Sequence, residues 1–209
     1  MSTTDRPVPA AGTKRSRTRR GVLDAVDRLL AEGNSYTELS VARIIAESGI
    51  SRSTFYTYFS DKGALLRSAV DDLGPEVNAA GQAWQDVDAT IDRDGLRAIL
   101  GNVIRTYQPH ARMMAEVYAA GSHDPLVREK VDELMGHSIR GLRRHIERGQ
   151  RAGFVDRRLL PLETATWLVW MFERTQHQDL AHADDAEIDA MIDALTDLVW
   201  DTLYAPARR

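Results

Sequence analysis

The sequence predicts an all-α protein, and three observations predict it. Apolar residues recur at helical spacing almost throughout, as in Val22, Val26, Leu29 and Leu30 or in Leu96, Ile99, Leu100, Val103, Ile104 and Tyr107. No run of alternating β-branched residues bounded by turns interrupts that period. Capping residues, glycines and prolines fall where the periodic stretches begin and end. With 209 residues, 43% of them hydrophobic, the chain can bury one sizeable core or a small domain joined to a larger one, and about nine helices are expected.

Residues 1–16, rich in Ser, Thr, Pro and basic side chains without a hydrophobic period, are expected to be a flexible basic arm. The first helix follows, from residue 17, and ends at Gly33 and Asn34. Ser40 is a good N-cap for a short second helix through Glu47. Gly49 breaks the chain, and Ser51 caps a third helix from Arg52 to about Phe59. Ser60 and Asp61 start a fourth, with Leu65, Leu66 and Val70 inward. Beyond Gly74 and Pro75 the helices lengthen. Pro109, which has no backbone N–H, is expected to break or kink the element that ends at Tyr107. A further helix holds Met113, Met114, Val117 and Tyr118. Another starts near Pro125 and is closed by Gly153. The last two run from Leu162 to about Leu180 and from Asp185 to about Tyr204.

The informative segment is Ser40 to Lys62, SVARIIAESGISRSTFYTYFSDK. Two short helices about a tight glycine turn form a helix-turn-helix, whose second helix enters a major groove while the first crosses the backbone. Ile44, Ile45, Ile50, Phe55 and Phe59 supply the inner face. Gly49 sits where a positive φ is needed. Arg52, Ser53, Thr54, Tyr56 and Tyr58 line the outer face with hydrogen-bonding groups. A bundle corner that never touches DNA would explain the Phe and Ile residues but not that exposed set.

Gly49 to Lys62 follows the pattern G-[VI]-S-x-x-T-[LF]-Y-x-[HY]-F-x-x-K at every fixed position. In this the sequence resembles the TetR/AcrR family of bacterial transcriptional regulators, over roughly residues 17–67. The resemblance implies a helix-turn-helix DNA-binding domain at 17–67 and an effector-binding and dimerisation domain at 68–209. It implies that Arg52, Ser53 and Tyr56 lie nearest base edges, and that Thr54, Tyr58 and Lys62 meet phosphates. Ser40, Arg43 and Ser51 complete the expected DNA-binding set. Phosphate contacts fix register, whereas an arginine can discriminate a guanine. Some relatives carry a base-reading arginine early in the second helix, but Ala42 stands there. The arm from Lys14 to Arg20 either follows the DNA backbone or is a solvated tail.

A helix-turn-helix of this type reads two half-sites about 34–36 Å apart and so needs a dimer. The resemblance implies a four-helix bundle between subunits, built from the last two helices. Trp167, Trp170, Arg174, Ile188, Met191, Ile192, Leu195, Leu198 and Val199 are the expected interface residues, although a purely internal core is the alternative. Leu96, Leu100, Val103, Tyr107, Met135, Ile139, Leu142, Val169 and Phe172 are expected to line a ligand cavity suited to a small apolar or aromatic molecule. The segment Met171-Phe172-Glu173-Arg174-Thr175 is similar to the ethionamide-regulator branch of the family. Asp189, Asp193, Asp197 and Asp201 recur every four residues and are expected to form a solvated face. Arg140, Arg143, Arg144, Arg148 and Arg151, interspersed with acids, are expected to do the same. The six histidines show no i,i+4 pairing, so no metal is assigned to them.

The net charge of −4 argues at first against a polyanionic partner, but it is an average. Residues 1–67 carry 11 Lys and Arg against 7 Asp and Glu, a net +4, and residues 68–209 carry 16 against 24, a net −8. A basic head on an acidic body suits a protein that meets DNA with one end. The absence of cysteine removes disulfides, thiolate metal sites and cysteine nucleophiles. No nucleotide-binding, metalloprotease or serine-hydrolase motif is present, so no enzyme and no cofactor are expected. The longest apolar run, Trp167 to Phe172, is far short of the ~20 residues of a membrane span, and a cytoplasmic location is expected. The expected function is a homodimeric repressor released from an inverted-repeat operator by a small ligand. The alternative is a DNA-binding regulator that has no such ligand.

Overall fold

The computed structural model describes residues 11–180 and 182–208. Among them there is no strand, and nine α-helices follow one another: α1 (Ala11–Ala31), α2 (Val41–Ser48), α3 (Arg52–Tyr58), α4 (Lys62–Gln85), α5 (Arg93–Tyr107), α6 (Ala111–Gly121), α7 (Pro125–Ala152), α8 (Pro161–Asp179) and α9 (Asp185–Val199). A 3-10 turn, Gln108–His110, joins α5 to α6 at the expected proline, and a π turn, Trp200–Tyr204, extends α9.

The helix ends follow from their capping residues. Ser40, Ser51, Asp61, Asp92, Asp124 and Asp184 each accept a backbone N–H of the helix they precede. Asp184 and Glu187 close a reciprocal capping box. Gly33, Gly49 and Gly153 end α1, α2 and α7 with positive φ of 87°, 67° and 85°.

Two boundaries differ from expectation. The first helix begins at Ala11, so residues 11–16 of the expected flexible arm are helical, while the first ten lie outside the described residues. Ala11 is the one apolar residue of that stretch, and a single alanine sets no period. The second is α4, which runs unbroken through Gly74 and Pro75 to Gln85. The proposed division at residue 67 therefore falls inside a single helix. Leu73 and Gly74 are buried on it, and packing against α5, α6 and α7 outweighs the one hydrogen bond that Pro75 cannot make.

α4 is the spine. It packs against α1, α5, α6 and α7. One core cluster runs without a break from Val22, Ile44, Phe55 and Phe59 through Leu65 and Leu73 to Tyr107, Met114 and Ile192. A second, of Leu96, Leu100, Leu142, Ile146, Phe154, Val199 and Tyr204, fills the far end.

Candidate functional site

In the helix-turn-helix, Ile44, Phe55 and Phe59 are essentially inaccessible, and the rings of Phe55 and Phe59 lie 5.3 Å apart. That i,i+4 pair turns the opposite side of α3 outward. Ser51, Arg52, Ser53 and Tyr56 are exposed there, with Thr54 and Tyr58 half-buried. The Arg52 guanidinium stands 5.7 Å from the centre of the Tyr56 ring, which pre-orients both side chains. The Ser51 hydroxyl accepts the Thr54 N–H at 3.1 Å and lies 2.8 Å from the Thr54 hydroxyl. Ser40 accepts from the Arg43 N–H, and the Arg43 side chain is exposed beside Glu32 at 3.4 Å.

Lys62 departs from its expected role at a phosphate. Its ammonium donates to the Tyr36 and Thr37 carbonyls and sits over the Tyr36 ring, while the Tyr36 hydroxyl donates back to the Lys62 carbonyl at 2.7 Å. Burial holds its pKa below the usual lysine value. The N-terminus of α4 is already filled by the Asp61 carboxylate, whose oxygen accepts from the Ala64 N–H at 2.6 Å. Lys62 thus fastens α4 to the α1–α2 connection.

The basic stretch before the head divides. Arg15 reaches the Tyr58 ring at 5.8 Å, beside the outer face of α3. Arg19 and Arg20 turn the other way and pair with Asp72 and Glu76 of α4. Those two arginines brace the joint between head and body, and only the earlier part of the stretch faces the reading helix. The Lys14 side chain lies outside the described residues.

Between α4, α5, α7 and α8 lies a cavity of ≈ 80 Å³. Of the expected lining, the structure brings together Leu100, Val103, Tyr107, Met135, Leu142, Val169 and Phe172. Leu96 and Ile139 are not at this cavity: they pack in the second core cluster. Sequence reading missed the contribution of α4, which supplies Leu73, Val77, Gly81 and Trp84, because the helix was expected to end near Gly74. It also missed the polar end. Glu173 and Gln176 are 7% and 3% exposed, and Tyr107 donates its hydroxyl to Glu173 Oε1 at 2.9 Å. Burial raises the pKa of Tyr107 and of Tyr118, so both phenols stay protonated donors.

The last two helices correct the expected interface. Ile188, Ile192 and Val199 are buried inside the chain against α5, so they cannot face a second copy. Trp167, Trp170 and Leu198 are 78%, 41% and 42% exposed, with Arg174 exposed beside them and Met191 and Leu195 half-buried in an apolar groove of ≈ 210 Å³ between α8 and α9. The stripe on α9 is double, one side inward and one outward, and a single hydrophobic period does not tell them apart. The aspartate row is likewise more than a solvated face. Asp189, Asp193 and Asp197 pair with Arg105, Arg97 and Arg93 of α5 at 2.7, 2.5 and 2.8 Å. Among the described residues no group of three His, Asp or Glu could hold a metal, the His177 side chain lying outside them. On α7, Arg143 pairs with Glu147 at 2.7 Å.

Residues 22–69 match the family model described as bacterial regulatory proteins, tetR family. The chain is 27% identical over 189 residues to the HTH-type transcriptional regulator EthR of Mycobacterium tuberculosis, covering 90% of this chain and 87% of that one. It is 27% identical over 182 residues to EthR of Mycolicibacterium smegmatis, covering 86% and 82%. Among solved structures it is similar to a transcriptional regulator from Saccharomonospora viridis in complex with choline, with a TM-score of 0.71 at 20% identity over 90% of this chain and 98% of that one. FadR from Bacillus subtilis in complex with stearoyl-CoA gives 0.69 at 17% over 86% and 96%. No described helix is long and apolar enough to cross a membrane.

Proposed function

We propose that this chain, whose residues 22–69 match the tetR family model and which is similar over most of its length to EthR regulators, is a TetR-family DNA-binding transcriptional regulator, a homodimeric repressor released from an inverted-repeat operator by a small, largely apolar ligand. The observation that carries this reading is the course of α4. The helix begins after a connection of three residues from the reading helix, and its later turns, from Leu73 to Gln85, form one wall of the cavity. A ligand that widens the cavity displaces the element on which the head is mounted, and two heads moved apart no longer match half-sites one helical turn apart. Arg67 adds a second link, lying 3.9 Å from Asp61 and 3.8 Å from Asp124 at the head of α7. For the dimer, the exposed Trp167 and Trp170 of α8, with Leu198 and the groove between α8 and α9, offer apolar surface.

Choline and stearoyl-CoA, held by two proteins of this fold, are chemically unlike, so the lining of each cavity decides its ligand. A ligand can shift the head only as far as it prefers one spacing over the other. The cavity's ≈ 80 Å³ is small beside the ~300 Å³ at the lower end of ligand pockets, so binding requires α4 to give way. That same small volume favours the second reading, a regulator controlled by a partner protein or by none.

The test uses Gly81→Phe, which fills the cavity from α4 at a position where a Cβ meets nothing within 4 Å. On DNA selected from a random pool, the variant is expected to mimic the ligand, losing most of its operator affinity, and to respond no further to compounds that dissociate the wild type. Release that persists unchanged in Gly81→Phe contradicts control through this cavity.

A further inference from the structure

We infer that Phe172 of α8 is the partition through which a second copy of the chain and an occupant of the cavity oppose one another. A docked copy holds the ring against the cavity, and a filled cavity drives the ring outward and loosens the dimer. This rests on the proposed cavity and homodimer and specifies how the one regulates the other.

α8 separates two spaces, the cavity that it walls with α4, α5 and α7 and the outer groove that it forms with α9. Its residues divide between them by helical position. Val169 and Glu173, one turn apart, line the cavity alone, and Met171 and Thr175 line the groove alone. Phe172 and Gln176 stand on the stripe between those two and border both spaces. Glu173 is held by the Tyr107 hydroxyl at 2.9 Å, and Gln176 is buried at 3% exposure. Phe172 is half-buried, carries no polar atom to anchor it, and has the groove of ≈ 210 Å³ on its far side.

A cavity of ≈ 80 Å³ takes an occupant of ligand size only if part of its wall moves. Turning one aromatic ring into an adjoining apolar space costs less than separating close-packed helices, so in a lone chain Phe172 yields first. The groove is also where a second copy seats. Trp167, Trp170, Met171 and Leu198 are exposed around it. Arg174 on α8 and Asp201, one turn beyond Leu198, are exposed on the same side with no ion pair among the described residues. A two-fold axis sets residue i against j and j against i, so one charge of each sign per chain makes that face complementary to itself. With a second copy in the groove the ring has nowhere to turn, and expansion goes instead to the α4 wall, which carries the head. Linkage makes the effect mutual: the docked copy disfavours the occupant to the same extent as the occupant disfavours the docked copy.

The experiment is subunit exchange between isotopically heavy and ordinary full-length protein, without DNA, followed by native mass spectrometry. Gly81→Phe, which fills the cavity from α4, is expected to speed exchange by about tenfold or more, the ordinary size of such couplings. Gly81→Leu, a smaller filler, is expected to speed it by a lesser factor, and it serves where the larger side chain prevents folding. In a Phe172→Ala background, with no ring left to drive outward, either filler is expected to change exchange by about twofold or less. Exchange no faster in either filler overturns the inference. An acceleration of undiminished size in the Phe172→Ala background overturns it as well, since the cavity then reaches the interface by another route. A wild type that gives only monomer refutes the homodimer reading itself, whereas a dimer indifferent to both fillers refutes the coupling and leaves that reading standing.

Discussion

Ser51, Gly49 and Phe55 show how much one residue can reveal. A hydroxyl three residues before a backbone N–H, a glycine at positive φ and a phenylalanine paired four residues on are local facts, and local facts are legible from sequence. Lys62 was not legible, because its partners are carbonyls 25 and 26 residues away on another connection. His145 was equally hidden. It is buried, and since the Gln85 carbonyl can only accept, Nδ1 carries the proton and Nε2 accepts from the Tyr204 hydroxyl at 2.9 Å. Burial pushes its pKa down to about 4 from 6.5. The neutral form is thus favoured by the fold, and its contribution is complete above pH 6.5. As pH falls toward 4 the unfolded chain takes up a proton that the folded chain refuses, and about 3 kcal/mol is lost. Urea unfolding from pH 7.5 to 4.5 is expected to show this fall in the wild type and a much flatter profile in His145→Gln. Identical profiles would show that His145 is not the group responsible.

At the scale of elements, the caps placed most helix ends, and the failures have a common cause. Pro75 and the turn from Ala11 to Ser16 are sites where local preference and tertiary packing disagree or where the hydrophobic period is silent. Arg19 and Arg20 hold the middle of α1 to α4 through Asp72 and Glu76, contacts no local pattern announces. The end of α7 shows packing acting through an absent side chain. A Cβ on Gly149 would fall onto Val155 and against Phe154, whereas one on Gly81 of α4 meets open space. Gly149→Ala is expected to cost about 1–3 kcal/mol by urea denaturation, from overpacking. Gly81→Ala is expected to be neutral or to stabilise by up to about 1 kcal/mol, as removing a helix-interior glycine does. A Gly149→Ala protein as stable as the wild type would mean that this helix end is looser than its geometry.

Taken as a molecule, the chain keeps the +4 and −8 halves, but they are not independent. Two of the head's arginines neutralise acids of α4, so part of the charge contrast is spent on the joint rather than offered to DNA. The acidic row of α9 is mostly committed to α5, and the outer face it leaves is apolar, around Trp167 and Leu198. Sequence could not say which side of α9 the neighbouring α5 already occupies. The central claim is that the exposed side of α3 reads DNA sequence. Its most direct test is fluorescence anisotropy of wild type and Arg52→Ala/Tyr56→Ala on sites selected from random DNA, at moderate salt. Both side chains are exposed, so the fold should survive. Discrimination worth ~1–3 kcal/mol per base contact predicts a loss of about 30-fold or more in specific affinity, with weak salt-dependent binding to unrelated DNA retained. Undiminished affinity of the double variant for the selected sites would contradict the claim.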